Sequence, residues 1–147
     1  MPKNELDLRP LINDFKTQRK ALPAKLGNTA VKFFQDNFRR EGFLDNSLTR
    51  WQRRKRETRR SRGKKILQNT GRLRRSIKRL TTTFGRIVIG TRGVDYASIH
   101  NEGLNGVAFG KYPFKMPKRE FVGDSATLEK LLKKRISQEI AIFAKRL

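Results

Sequence analysis

Thirteen consecutive residues, Arg53–Lys65 ("RRKRETRRSRGKK"), contain no large apolar side chain. A helix or strand built from such a stretch has no face to bury, so the segment is excluded from any core. Extended back to Arg50, the run holds ten basic residues in sixteen: Arg50, Arg53, Arg54, Lys55, Arg56, Arg59, Arg60, Arg62, Lys64 and Lys65. These ten are the candidate contacts to a polyanion or a partner protein. Arginine outnumbers lysine by seven to three, and guanidinium forks suit phosphate and carboxylate oxygens in two-point geometry. The run is expected to be flexible unless a partner neutralises it. Its one aromatic, Trp51, stands at the start. No interleaved aromatic series for stacking bases is present, and no zinc-finger, RNP or recognition-helix pattern. Contact with DNA would therefore be to the backbone, without sequence preference and strongly salt-dependent.

The charge is not confined to this run. Lys and Arg number 36 against 13 Asp and Glu, a net of +23. Removing Arg50–Lys65 takes away ten positive charges and one negative, and leaves +14. Such a field favours nucleic acid, an anionic membrane or an acidic protein surface. At 147 residues one domain is expected, spanning 1–147 with residues 45–65 as a basic excursion. Its core is lean, at 35% hydrophobic residues, but ten phenylalanines support it. The absence of cysteine excludes disulfides, thiol catalysis and cysteine-ligated metals, and the single histidine excludes a histidine-rich metal site. No metal or cofactor is expected. The first residues, "MPKNELDLRP", carry no apolar run, so no secretory signal is expected. No apolar run reaches membrane-spanning length.

Periodicity supplies the elements. Leu6 to about Arg40 reads as mostly helix, with Leu11, Ile12 and Phe15 spaced for one face. Pro23 is expected to start a second helical segment or bend a longer one. Leu26, Ala30, Phe33, Phe34 and Phe38 form a buried stripe, and Gly42 lies near the helix end. Phe43, Leu44, Leu48 and Trp51 anchor the start of the following stretch. Ile66–Leu80 predicts a short helix capped by Asn69 or Thr70, with Leu73, Ile77 and Leu80 on one face. "TTTFGRIVIGT" predicts a hairpin in which Arg86–Gly90 is the more buried strand. Asp95 is positioned to cap a short helix with Tyr96 and Ile99 inward and Gly103 ending it. Leu104–Pro117 reads as loop and "KREFVG" as a final strand. Asp124 or Ser125 caps a C-terminal helix with Leu128, Leu131, Leu132, Ile136, Ile140 and Phe143 as its stripe. This basic, amphipathic helix could lie on a membrane; the core-face reading is preferred. The predicted class is α+β: long N- and C-terminal helices packed on a small antiparallel β-sheet with open edges, plus a long basic loop.

His100 raises the question of catalysis, because Asp95, Ser98 and Glu102 are close in sequence. On a helix these lie five, two and two positions away, so none shares the histidine's face well. No carboxylate pair, phosphate loop or metal-ligand spacing stands elsewhere. The chain is read as not an enzyme, and His100 as a structural residue.

Three segments occur in order: "LQNTGRLRRSI" (67–77), "IVIGTRGVDYASIHNEG" (87–103) and "MPKREFVGDS" (116–125). In this arrangement the chain resembles the tailed-bacteriophage virion morphogenesis family, the Mu-like tail completion and neck proteins. The matching residues are Leu67, Thr70, Gly71, Leu73 and Ser76; Gly90, Tyr96, Ala97, His100 and Gly103; and Pro117, Arg119, Phe121, Gly123 and Ser125. Phe38–Arg53 fits the family's N-terminal half, and the arginine run is unusually dense for it. The resemblance implies a structural virion protein of the neck or head-proximal tail end. It would act in head–tail joining or tail completion, as a ring of roughly six or twelve copies. It implies portal, adaptor or tail proteins as partners, with the DNA backbone as a further one. Neither a membrane nor a small-molecule substrate is implied. Composition alone favours a different reading: a nonspecific nucleic-acid-binding protein of ribosomal-protein type whose arginine loop orders on RNA.

Overall fold

The computed structural model describes residues 7–147, so the expected helix start at Leu6 lies outside the described residues. The chain is α+β, with long helices at both ends. Helix α1 (Arg9–Arg40) has Pro10 in its first turn, where a missing N–H costs nothing. It runs through Pro23 without a second start. Pro23 is buried there, and Arg19 stacks on Phe84 beside it, 4.2 Å from the ring centroid. Burial of the proline where α1 meets the 82–84 turn accompanies the lost hydrogen bond. The helix stops at Glu41 in a left-handed conformation, φ 51°.

Six short strands follow, paired as three separate antiparallel hairpins rather than one sheet. Strands β1 (Gly42–Leu44) and β2 (Leu48–Arg50) pair directly after α1. Residues 51–71 form the basic loop. Helix α2 is only Arg72–Ser76, and β3 (Ile77–Thr82) continues from it without a break. The helix expected over Ile66–Leu80 is thus mostly strand and loop. Gly71 holds the cap position at φ 72°, and Thr70 Oγ1 accepts from the Arg72 amide at 3.3 Å, while Asn69 takes no part. The helical spacing of Leu73 and Ile77 is real, but the two residues bury into one core from a helix and a strand. Leu80 falls at a register shift in the pairing and is exposed.

The expected hairpin forms between β3 and β4 (Ile87–Thr91), with β4 the more buried strand, but β3 reaches back to Ile77, into the stretch expected as helix. Helix α3 (Ala97–Glu102) has no side-chain cap, so Asp95 does not cap it. Tyr96 is exposed, and Ala97 with Val94 makes the core contact instead. Gly103 ends α3 at φ 70°, and a Cβ there would meet the backbone N of Lys118 at 2.8 Å. The predicted loop 104–117 contains a hairpin, β5 (Asn105–Ala108) with β6 (Tyr112–Lys115). Its large side chains stay largely outside the core, with Phe109 at the tip 95% exposed, so no inside–outside alternation marks it in sequence.

Residues 118–123 are not a strand. Their backbone is held by side chains: Asn37 Nδ2 donates to the Phe121 carbonyl at 3.1 Å. Asn101 Oδ1 accepts from the Phe121 and Val122 amides at 2.9 and 3.0 Å. Trp51 Nε1 donates to the Glu120 carbonyl at 2.7 Å. Ser125, not Asp124, caps α4 (Ala126–Ala144), accepting from the Leu128 amide.

The core lies between α1, β3–β4, α3 and this pinned segment. Phe38, 0% exposed, is at its centre, with Trp51 and Phe121 ring centroids 5.4 and 5.3 Å away. Helix α4 runs antiparallel along α1, tied by Lys25–Glu139 at 2.6 Å and Phe15–Phe143 at 5.4 Å. Its stripe is only partly covered: Leu128 is buried, but Leu131 and Ile140 are exposed, as are Leu11, Ile12 and Phe15 on α1. No described helix is long and apolar enough to cross a membrane.

Phe34 lies buried in this core. Phe34→Ala should lower unfolding free energy by about 3–5 kcal/mol, whereas Phe15→Ala should cost under about 1.5 kcal/mol because that ring is half exposed. Urea denaturation of the two variants measures the contrast.

Candidate functional site

The basic loop does not hang free. Its returning end docks on the C-terminus of α1. Lys65 Nζ donates to the Arg39 carbonyl at 2.8 Å and Gln68 Nε2 to the Phe38 carbonyl at 2.7 Å. A cation on the last helical carbonyls also meets the negative end of the helix dipole. Glu41 Oε1 accepts from the Ile66 amide at 2.7 Å, and Ile66 is buried. Arg54 closes the loop from inside, donating to the carbonyls of Ser61, Lys64 and Lys65 at 3.3, 3.0 and 2.7 Å. Lys64 Nζ donates to Asn69. Three of the ten basic residues thus serve as internal staples, because carbonyls are the acceptors in reach where acids are scarce.

The other seven, Arg50, Arg53, Lys55, Arg56, Arg59, Arg60 and Arg62, are exposed. Among the described residues, none of the ten takes part in an ion pair. Arg60 and Arg54 lean over a cavity of about 440 Å³ between the loop and the second half of the chain. On its far side lie Thr70, Gly71, Tyr96, His100 and Arg119. Leu67, Leu73 and Met116 contribute apolar lining. A wider cleft of about 720 Å³ adjoins it, sharing Arg54, Met116 and Arg119 and adding Arg53, Lys55, Glu102, Gly103 and Pro117. The fold thus gathers two sets of residues that are far apart in sequence. Phe121 and Gly123 stay outside both cavities, Phe121 in the core and Gly123 where a Cβ would strike the Glu120 carboxylate.

Arg119 is the least expected member. It is 6% exposed, with Nε donating to the Gln52 carbonyl at 2.9 Å and, among the described residues, no carboxylate partner. Burial, and then the nearby Arg54 charge, push its guanidinium below the usual range. His100 meets the Tyr96 ring edge-on at 5.9 Å. Its backbone carbonyl, not its ring, fixes the following chain, accepting from the Arg119 amide at 2.8 Å. Ring Nδ1 is buried without a hydrogen-bond partner. Arg72 also lines the cavity, and its importance was not readable from "TGRLRRS", where three arginines look alike. Leu67, in a left-handed conformation at φ 59°, lines the same cavity.

Burial, and then the Arg119 charge, hold the His100 imidazole below its ordinary value of 6.5. The unfolded chain therefore binds the extra proton first as pH falls. The stability contribution is complete above about pH 6.5 and is lost on descending toward the lower folded value. His100→Gln should flatten the fall in urea midpoint over that interval relative to wild type. Parallel curves for the two proteins would remove the histidine as the cause.

No curated protein and no solved structure gives a significant match to the chain. The sequence does match a family over residues 3–141, a span that contains the basic loop, the cavity and the pinned 118–123 segment. On that match, the chain belongs to the phage virion morphogenesis family.

Proposed function

We propose that the protein is a structural component of a tailed-phage neck or head-proximal tail end. It acts in head–tail joining or tail completion by binding other copies of itself in a ring and the portal, adaptor or tail proteins beside it. It works without catalysis, and its cavity residues serve recognition.

The observation that carries this reading is the amount of unfinished surface on a small chain. Each of the three hairpins has two strands only, so each has open edges able to receive a neighbour. The β5–β6 hairpin presents Val107, Phe109 and Tyr112 to solvent, and the free ends of α1 and α4 present Leu8, Ile12, Phe15, Ile140 and Leu147. Apolar surface of this extent suits a subunit whose neighbours complete it. The charge of +23 requires acidic partners or DNA to accompany that closure. The ribosomal-protein alternative needs a loop that takes shape on RNA. Here the loop is shaped by its own hydrogen bonds to the α1 terminus and through Arg54, which favours the virion reading.

Electron microscopy of lysates from a phage with an early stop codon in this gene tests the assignment. Separate full heads and tails, or tails of abnormal length, are expected; normal joined particles would overturn it. Replacing Arg53, Arg56, Arg59 and Arg60 with Gln, while keeping the structural Arg54, should leave the melting temperature unchanged. Infectious titre or DNA retention should fall. A full titre from such stably folded protein would remove the exposed arginines from the mechanism.

A further inference from the structure

We infer that the cavity beneath the basic loop is a receptor for an acidic peptide segment of a partner virion protein, taking a glutamate or aspartate side chain against Arg119. This rests on the proposed assembly role and specifies the chemistry of one contact. Four arginines line the cavity, Arg54, Arg60, Arg72 and Arg119, and among the described residues no carboxylate does. Three of them spend hydrogen bonds on carbonyls: Arg54 within the loop, Arg72 on Gly93 at 2.9 Å, and Arg119 on Gln52. A guanidinium has five N–H donors, so each retains capacity. Arg119 is the most consequential, because a buried cation without a counter-ion is costly to hold, and Arg54 beside it adds like-charge repulsion. An entering carboxylate relieves both costs at once. The unpartnered His100 Nδ1 is a further polar atom on the same wall.

The shape selects among anions. Leu67, Leu73 and Met116 supply apolar surface for the methylene stem of an acidic side chain and its neighbours. A duplex presents its phosphates on a convex rod flanked by sugars, which suits the exposed Arg56 and Arg59 better than a recessed guanidinium.

The test uses the full chain, a fluorescein-labelled hexaglutamate peptide and a labelled DNA duplex, followed by fluorescence anisotropy at physiological salt. Arg60→Gln and Arg119→Lys should each weaken peptide binding roughly tenfold, while Arg56→Gln, an equal change of net charge outside the cavity, should leave it within about twofold. Circular dichroism melting checks that each variant is folded. Should Arg119→Lys unfold, Arg60→Gln alone decides. Equal losses in Arg60→Gln and Arg56→Gln would reduce the effect to bulk charge and overturn the receptor. Loss of duplex binding, rather than peptide binding, in Arg60→Gln would transfer the cavity to DNA and overturn it also. The stop-codon experiment reads the particle and not the cavity. Normal particles with intact peptide selectivity would sink the neck assignment alone, and defective particles without selectivity would sink the receptor alone.

Discussion

The contact of Phe38 with Trp51 and Phe121 is the constraint on which the other elements depend. It joins the end of α1, the exit from the first hairpin and the segment before α4, the last lying 70 positions beyond Trp51 in the chain. Aromatic packing alone leaves a sliding contact. Here the backbone of 120–122 is also held by Trp51, Asn37 and Asn101, so ring positions and hydrogen bonds specify the same register. Asn37 is 0% exposed, and its amide is used on both sides, donating to Phe121 and accepting from Leu44. Buried polar groups satisfied in this way specify one arrangement, since any slip leaves them unpaired.

The excess of base over acid shapes the rest. With few carboxylates to pair with, basic side chains turn to carbonyls: Arg54, Lys64, Lys65, Arg72, Arg75 and Arg119 all donate to backbone oxygen. This has two consequences. The basic loop acquires a defined path without acids, anchored where the α1 dipole favours a cation. The cations keep their charge uncompensated, so the surface of the loop retains its field. A loop of alternating Lys and Glu would be ordered as well, but it would be electrostatically quiet.

Family membership and architecture converge on assembly. Two-stranded hairpins with open edges, and helix ends with exposed apolar side chains, are poor endings for an isolated chain and good beginnings for an array. The residues on which the sequence resemblance rests divide by place in the fold. Phe121 and Leu73 build the core, and Gly103 allows the close approach of Lys118. Thr70, Tyr96, His100 and Arg119 face the cavity. Such a pattern mixes core residues with cavity-lining ones, and only position in the fold separates them.

The α1 stripe, the C-terminal helix and strand β4 were legible in the sequence because each carries a local pattern of apolar or β-branched residues set by helix or strand geometry. The basic run was legible as surface because it has nothing to bury. The exclusion of thiol and histidine-cluster chemistry followed from composition alone. Other features were decided only by the tertiary structure. The helix expected at Ile66–Leu80 became loop, one helical turn and strand, because Ile66, Leu73 and Ile77 reach one core from different elements, and that core overrides local propensity. The β5–β6 hairpin gave no alternation because neither face is strongly buried. Residues 118–123 satisfy their backbone with distant asparagines and a tryptophan, a pairing for which no local pattern exists. The cavity is the clearest case. Arg54 and Arg119 are 65 positions apart in the chain, and the sequence marks both as basic or family-like. That they face one recess depends on the docking of a loop onto a helix end, which is a long-range interaction and has no signature in the order of residues.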